Sequence, residues 1–204
     1  MNYSISVIVF DLGNVLLPFD YQILANNLER IEKDLGKNFL RFLKDNYPYH
    51  RAFERGDVSE DVFIQKMLSA LNYKIDREIF CKYYSEIFSE NIEVVKLLPE
   101  LKKNFILVLL SNTNLIHDKY GWRHYEFLRY FDKLVLSYKE RSVKPEEKIY
   151  RAVESFTMKN HEEHFFIDDV AEYIEAARAL GWKGVQFKGY TELRSELINR
   201  GILN

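Results

Sequence analysis

Five short apolar runs, at positions 5–10, 105–110, 134–137, 165–167 and 184–187, constrain the fold of this chain more than any other feature. They are rich in β-branched residues and separated by helical patterns, and the strong ones end on small or acidic residues. That is the rhythm of a parallel α/β sheet. From the second run to the fifth the spacing suits βαβ units. Between the first and the second it does not.

That first gap holds about ninety residues rich in helix formers, with Phe63, Met67, Ala70 and Leu71 on one helical face. A crossover helix needs far fewer. The excess predicts a helical insert directly after the first strand, beginning near Tyr21 and returning near Asn91. Breaks are expected at Lys44-Asp45-Asn46 before Pro48 and at Arg55-Gly56-Asp57, with Ser59 capping the next helix. The 204 residues fit a core domain carrying a smaller insert and are enough to bury a core without a metal or disulfide staple.

Charge limits the partners. Lys and Arg number 29 against 31 Asp and Glu, a net charge of -2 with a pI near 6.2, so nothing favours nucleic acid or an anionic membrane. A small molecule is the better default, and a monomer is expected. Cys81 is the single cysteine, which excludes an internal disulfide and suits a reducing compartment. Its neighbours Ile79 and Phe80 predict a buried structural thiol. The start MNYSISVIVFDLG has no basic region, and its apolar run is too short for a signal peptide or a membrane span, so a cytoplasmic location is expected. His161 and His164 do not have the helical His-Glu-x-x-His spacing of a zinc site, and no nucleotide-binding glycine motif follows the first run.

In an open parallel sheet, ligands bind at the carboxyl ends of the strands. Asp11 follows the first run, Ser111-Asn112-Thr113-Asn114 the second, and the pair Asp168-Asp169 the fourth. One such Asp is ordinarily a turn former. Carboxylates from two strand ends meeting at one sheet edge would repel strongly unless a cation relieved them, and magnesium accepts few carboxylates plus water and phosphate. Between the third and fourth runs stands Ser142-Val143-Lys144-Pro145-Glu146-Glu147. Proline ahead of two acids predicts a helix beginning at Pro145, with Lys144 just before it to neutralise a phosphate.

The segments Phe10-Asp11-Leu12-Gly13-Asn14-Val15, Ser111-Asn112-Thr113-Asn114, Lys144-Pro145-Glu146 and Phe166-Ile167-Asp168-Asp169 resemble, in order and approximate separation, the four motifs of the haloacid dehalogenase superfamily. Residues 174–182 look like the helix after the fourth motif. The resemblance implies a Rossmann-like three-layer α/β core with a parallel sheet, residues 1–18 and 92–204, and an inserted helical C1-type cap, residues 19–91. It implies a magnesium-dependent phosphatase in which Asp11 attacks phosphorus to give an aspartyl-phosphate. Magnesium would be held by Asp11, the Gly13 carbonyl and Asp169, with Asp168 acting through water. Ser111 would bind the transferring phosphoryl group with Asn112 beside it, and Lys144 would bridge nucleophile and phosphate.

Two departures from the family pattern stand out. Most family phosphatases carry an acid/base Asp two positions after the nucleophile; here that residue is Gly13. Losing such a group costs on the order of 10²–10⁴ in rate. The FDLGNV wording resembles a subgroup that includes an α-glucose-1-phosphate phosphatase, so a sugar 1-phosphate, with its less basic leaving group, is an expected substrate. The second departure is Tyr173, where relatives often have Asn. In the cap, Arg51 and Arg55, with His50 and Glu54, are placed to touch a sugar or a distal charge, although solvated surface is the preferred reading for these four. The competing functions are a metal-independent 2-haloacid dehalogenase, which the acidic pair disfavours, and a catalytically weak phosphoester-binding or regulatory protein, which an intact nucleophile disfavours.

Overall fold

The computed structural model describes residues 4–204; residues 1–3, the start of the segment read above for a leader, lie outside them. One parallel sheet is built from β1 (Val7–Phe10), β2 (Ile106–Ser111), β3 (Lys133–Leu136), β4 (His164–Asp168) and β5 (Lys183–Gln186), in the order β3-β2-β1-β4-β5. The chain builds outward from β1 through β2 to β3, then returns to the other side of β1 for β4. The direction therefore switches beside β1, where the strand ends leave room for a ligand.

Between β1 and β2 lie α1 (Tyr21–Glu29), α2 (Leu35–Asp45), α3 (Tyr47–Arg55), α4 (Glu60–Ala70) and α5 (Arg77–Ser85), then the single turns α6 (Ile92–Val95) and α7 (Leu98–Leu101). After β3 come α8 (Ser137–Glu140) and α9 (Glu147–Thr157). Helix α10 (Ala171–Ala179) joins β4 to β5, and α11 (Tyr190–Asn199) follows.

The strands are apolar throughout because both faces of the sheet are covered. Val7, Val9, Val108, Leu110 and Phe166 pack on one side with Ile149, Val153, Ile174 and Trp182 from the α9 and α10 region. Ile8, Phe10, Leu107, Leu109 and Ile167 alternate to the other side, against Leu98, Trp122, Leu193 and Leu197. Helices α1 to α5 share a separate core of Leu24, Leu28, Phe39, Phe53, Phe63, Met67 and Phe80. Phe63, Met67 and Leu71 are buried as their spacing predicts, and Cys81 is buried with them. Asp20, Ser59 and Asp76 open α1, α4 and α5 by accepting N–H bonds from Gln22 (2.8 Å), Val62 (3.4 Å) and Ile79 (2.8 Å). Among the described residues no helix is long and apolar enough to cross a membrane.

Two local expectations are corrected. Ser137, placed at the end of the third strand, opens α8 instead. The helix expected to begin at Pro145 begins at Glu147, after a cis Lys144-Pro145 bond. The Lys144 N–H and C=O both turn sideways to Asn112 (2.8 and 3.1 Å), so that peptide cannot enter a helix.

Gly56 ends α3 in the left-handed region (φ 83°), and a Cβ there would lie 2.5 Å from the Tyr138 carbonyl oxygen. Only glycine allows both the turn and this close approach of α3 to the sheet's loops. Gly56→Ala is expected to cost at least about 1 kcal/mol, lowering the calorimetric midpoint by about 2–4 °C. A variant melting at or above the wild-type temperature would contradict this reading of the contact.

Candidate active site

The strand register assembles the site. Phe10 pairs with Leu109 on one side and Ile167 on the other, which sets Asp11 next to Asp168 and close to the β2 end at Ser111. Lys144 reaches between the two acids, with Nζ 2.7 Å from Asp11 Oδ1 and 2.6 Å from Asp168 Oδ2. Lys144 is 1% exposed, Asp168 0% and Asp11 7%, so this ion-pair network is almost wholly out of water. The other Asp168 oxygen accepts the Val170 N–H at 2.8 Å. Asp169 Oδ2 accepts from Asn14 Nδ2 at 3.0 Å, and Asn14 adopts a positive φ (56°) that asparagine tolerates better than most residues.

The charges do not balance. Asp11, Asp168 and Asp169 each offer an oxygen, and these lie within 4.8 Å of one another. The ammonium pairs with two of these carboxylates, and with Asp169 beside them the ionised cluster carries two negative charges in excess. Burial, opposed by Lys144 and reinforced by Asp168 and Asp169, brings the Asp11 carboxyl up to about 7. Burial alone would push the Lys144 ammonium down, but Asp11 and Asp168 outweigh it and hold the group above its ordinary value. A divalent cation would cancel the excess, and all-oxygen donors suit a hard ion. The Gly13 carbonyl accepts the Val15 N–H at 2.7 Å and keeps a second lone pair for such an ion.

Lys144 is itself held. Asn112 Oδ1 accepts its N–H, and Asn112 Nδ2 donates to its carbonyl (3.1 Å) and to the Tyr173 hydroxyl (3.4 Å). Arg51 of α3 donates to the same carbonyl. The Asn112 side chain, expected beside a phosphate, is thus committed to fixing the lysine. Tyr173 takes part in that clamp, and its ring lies 5.1 Å from Lys144 Nζ.

A cavity of about 210 Å³ opens over Gly13, Ser111 and Asn112. Phe19, Tyr21 and Phe88 wall it, and Tyr47, His50 and Glu54 of α3 close it from the insert side. The side chains of His50, Arg51 and Glu54 are 14, 19 and 14% exposed, which corrects the reading of solvated surface for these three. Arg55 is not brought to the cavity; it pairs with Glu146 (2.5 Å) and Asp57 (3.5 Å). Sequence reasoning missed Phe19 and Phe88, because an aromatic residue beside helical segments reads as ordinary core.

The family model for haloacid dehalogenase-like hydrolases matches residues 5–181. The chain belongs to this family. A D-ribitol-5-phosphate phosphatase of Bacteroides thetaiotaomicron is 25% identical over 202 residues, covering 93% of this chain and 95% of that protein. The crystal structure of a haloacid dehalogenase family enzyme from the same organism, in complex with magnesium and inorganic phosphate, matches with a TM-score of 0.80 at 24% identity, over 93% of this chain and 99% of the other. An L-2-haloacid dehalogenase from Xanthobacter autotrophicus matches with a TM-score of 0.64 at 20% identity, over 98% and 84%. Both crystal structures share the fold of this chain.

Removing one member of a buried ion-pair network strands the others. Lys144→Met is expected to lose about 3–5 kcal/mol in urea unfolding with a chelator present, and to recover part of it when magnesium is added. Wild-type stability in the chelator would show that the buried charges are not coupled as described.

Proposed function

We propose that this hydrolase is a magnesium-dependent phosphatase acting on a small phosphomonoester, a sugar or polyol phosphate, through an aspartyl-phosphate on Asp11. The observation that carries this reading is the gathering of Asp11, Asp168 and Asp169 within 4.8 Å around a buried lysine. A dehalogenase working without metal has no use for the acidic pair, and a mere binder has no use for a buried nucleophile. The named activity of the Bacteroides relative and the magnesium and phosphate of the matched crystal structure support the same choice.

Asp11, the Gly13 carbonyl and Asp169 would hold the ion directly and Asp168 through water, since both Asp168 oxygens are already engaged. Bound there, magnesium supplies charge neutralisation for the carboxylates and the incoming phosphate. Asp11, kept in place by its N–H bond to the Ile167 carbonyl (2.9 Å), attacks phosphorus in line with the departing oxygen. Lys144 spreads the charge that develops, and Ser111 at the β2 end hydrogen-bonds the transferring group. Water then hydrolyses the acyl phosphate.

Residues 19–91 act in this reading as a cap over a core of residues 1–18 and 92–204. The cavity beneath is smaller than the roughly 300–1,000 Å³ of drug-sized sites, which favours a leaving group the size of a sugar over a nucleoside. An anomeric ester such as a sugar 1-phosphate suits a site in which residue 13 offers no acid.

Purified protein with magnesium is expected to hydrolyse p-nitrophenyl phosphate, to lose that activity to a chelator, and to lose it in Asp11→Asn while the melting curve stays cooperative. Turnover of 2-haloacids that survives chelation, or no turnover across a broad phosphoester panel, would count against the assignment.

A further inference from the structure

The acid that residue 13 lacks has a candidate on the opposite wall. The direction a side chain would take from Gly13 is filled by Phe19, whose Cε1 lies 3.2 Å from the position of a Cβ, so the vacancy is closed with an apolar ring. Of the proton-bearing groups that share the cavity with Gly13, His117 and Tyr21 are unsuited. His117 has both ring nitrogens committed, Nδ1 to Asn114 Nδ2 (3.1 Å) and Nε2 to the Tyr84 carbonyl (3.1 Å), and burial pushes it down to about 3. Burial pushes the Tyr21 hydroxyl up, away from the range of a useful acid.

Glu54 is different. Its backbone carbonyl accepts from Ser137 Oγ (2.6 Å), and the same hydroxyl accepts the Thr113 N–H (2.9 Å), which ties Glu54 to the loop after β2. Its Oε2 meets Arg51 Nη1 at 3.3 Å, and the same guanidinium donates to the Lys144 carbonyl, which ties the side chain to the loop that carries the catalytic lysine. His50 Nδ1 lies 3.8 Å from its Oε1, beyond hydrogen-bond reach, and among the described residues this oxygen accepts no hydrogen bond, which leaves it available to a substrate oxygen. The loops after β2 and before α9 therefore both hold α3 at Glu54, which lines the cavity together with Gly13 and Ser111.

We propose that Glu54, steadied by Arg51 and His50, is the catalytic acid and base of this enzyme. The inference rests on the phosphatase reading above. In the first step an Asp11 oxygen bonds to phosphorus, the phosphorus–oxygen ester bond breaks with its electron pair on the leaving oxygen, and the proton held by Glu54 moves to that oxygen. In the second step water bonds to phosphorus, its proton passes to the Glu54 carboxylate, and the bond to Asp11 breaks, which releases inorganic phosphate and restores both groups. Such a site is not confined to anomeric esters; primary alkyl phosphates fall within its reach.

Leaving-group dependence tests the proposal. For p-nitrophenyl phosphate, whose leaving group needs no proton, kcat/KM of Glu54→Gln is expected to stay within about threefold of wild type, with a burst of nitrophenol as the phosphoenzyme accumulates. For a primary alkyl sugar or polyol phosphate, kcat/KM is expected to fall about 10²–10⁴-fold. An equal fall on both substrates, or no fall on either, overturns the assignment of Glu54. If Glu54→Gln does not fold, Glu54→Asp, which withdraws the carboxyl by one methylene, is expected to show the same split at smaller amplitude. Wild-type protein inert toward both substrates would instead overturn the phosphatase reading, and this inference with it.

Discussion

The buried contact of Lys144 with Asp11 and Asp168 is the constraint around which the rest of the molecule is arranged. Two carboxylates and an ammonium withdrawn from water are costly unless geometry and further hydrogen bonds compensate them. Here the compensation is built in layers. The β1 and β4 register puts the acids side by side, Asn112 fixes the lysine by its own peptide, and Tyr173 and Arg51 hold Asn112 and that peptide in turn. The network still carries an excess of negative charge once Asp169 is counted, and that excess is the physical case for a divalent cation.

Helix α3 couples the insert to this network. Helix α3 contributes Arg51 to the Lys144 carbonyl, the Glu54 carbonyl to Ser137, Arg55 to Glu146, and a bare Gly56 against Tyr138. Any outward movement of α3 would break contacts to the Lys144 loop and to the α8 turn together. Access to the cavity and placement of the lysine are therefore mechanically linked, an arrangement suited to a site that must exclude water during phosphoryl transfer.

How much of this was legible in the sequence follows from range. The strands were readable because both faces are buried, and the excess length after the first strand announced the helical insert. The meeting of Asp11 with the acidic pair was readable because strand ends at one sheet edge converge whatever lies between them, whereas Lys144 was singled out by the motif resemblance and by a helix start that the structure moves. The beginning of α9 was misjudged because Pro145 and its acids satisfy every local rule for a helix start, and only the distant Asn112 shows why the Lys144 peptide turns away. The partners of Asn112 and Arg55, Lys144 and Glu146, are likewise remote in sequence, and no local pattern names them. The same fold hosts a dehalogenase of carbon–halogen bonds and a protein crystallised with magnesium and phosphate, so function here is argued from the acids and not from the architecture.

The central claim is that Asp11 takes the phosphoryl group. Rapid quenching of protein mixed with magnesium and p-nitrophenyl phosphate, followed by borohydride reduction and peptide mass spectrometry, tests it at the level of the covalent bond. Conversion of residue 11 to homoserine, dependent on substrate, is the predicted result. Reduction at Asp168 or Asp169, or none at any residue under conditions of active turnover, would contradict it.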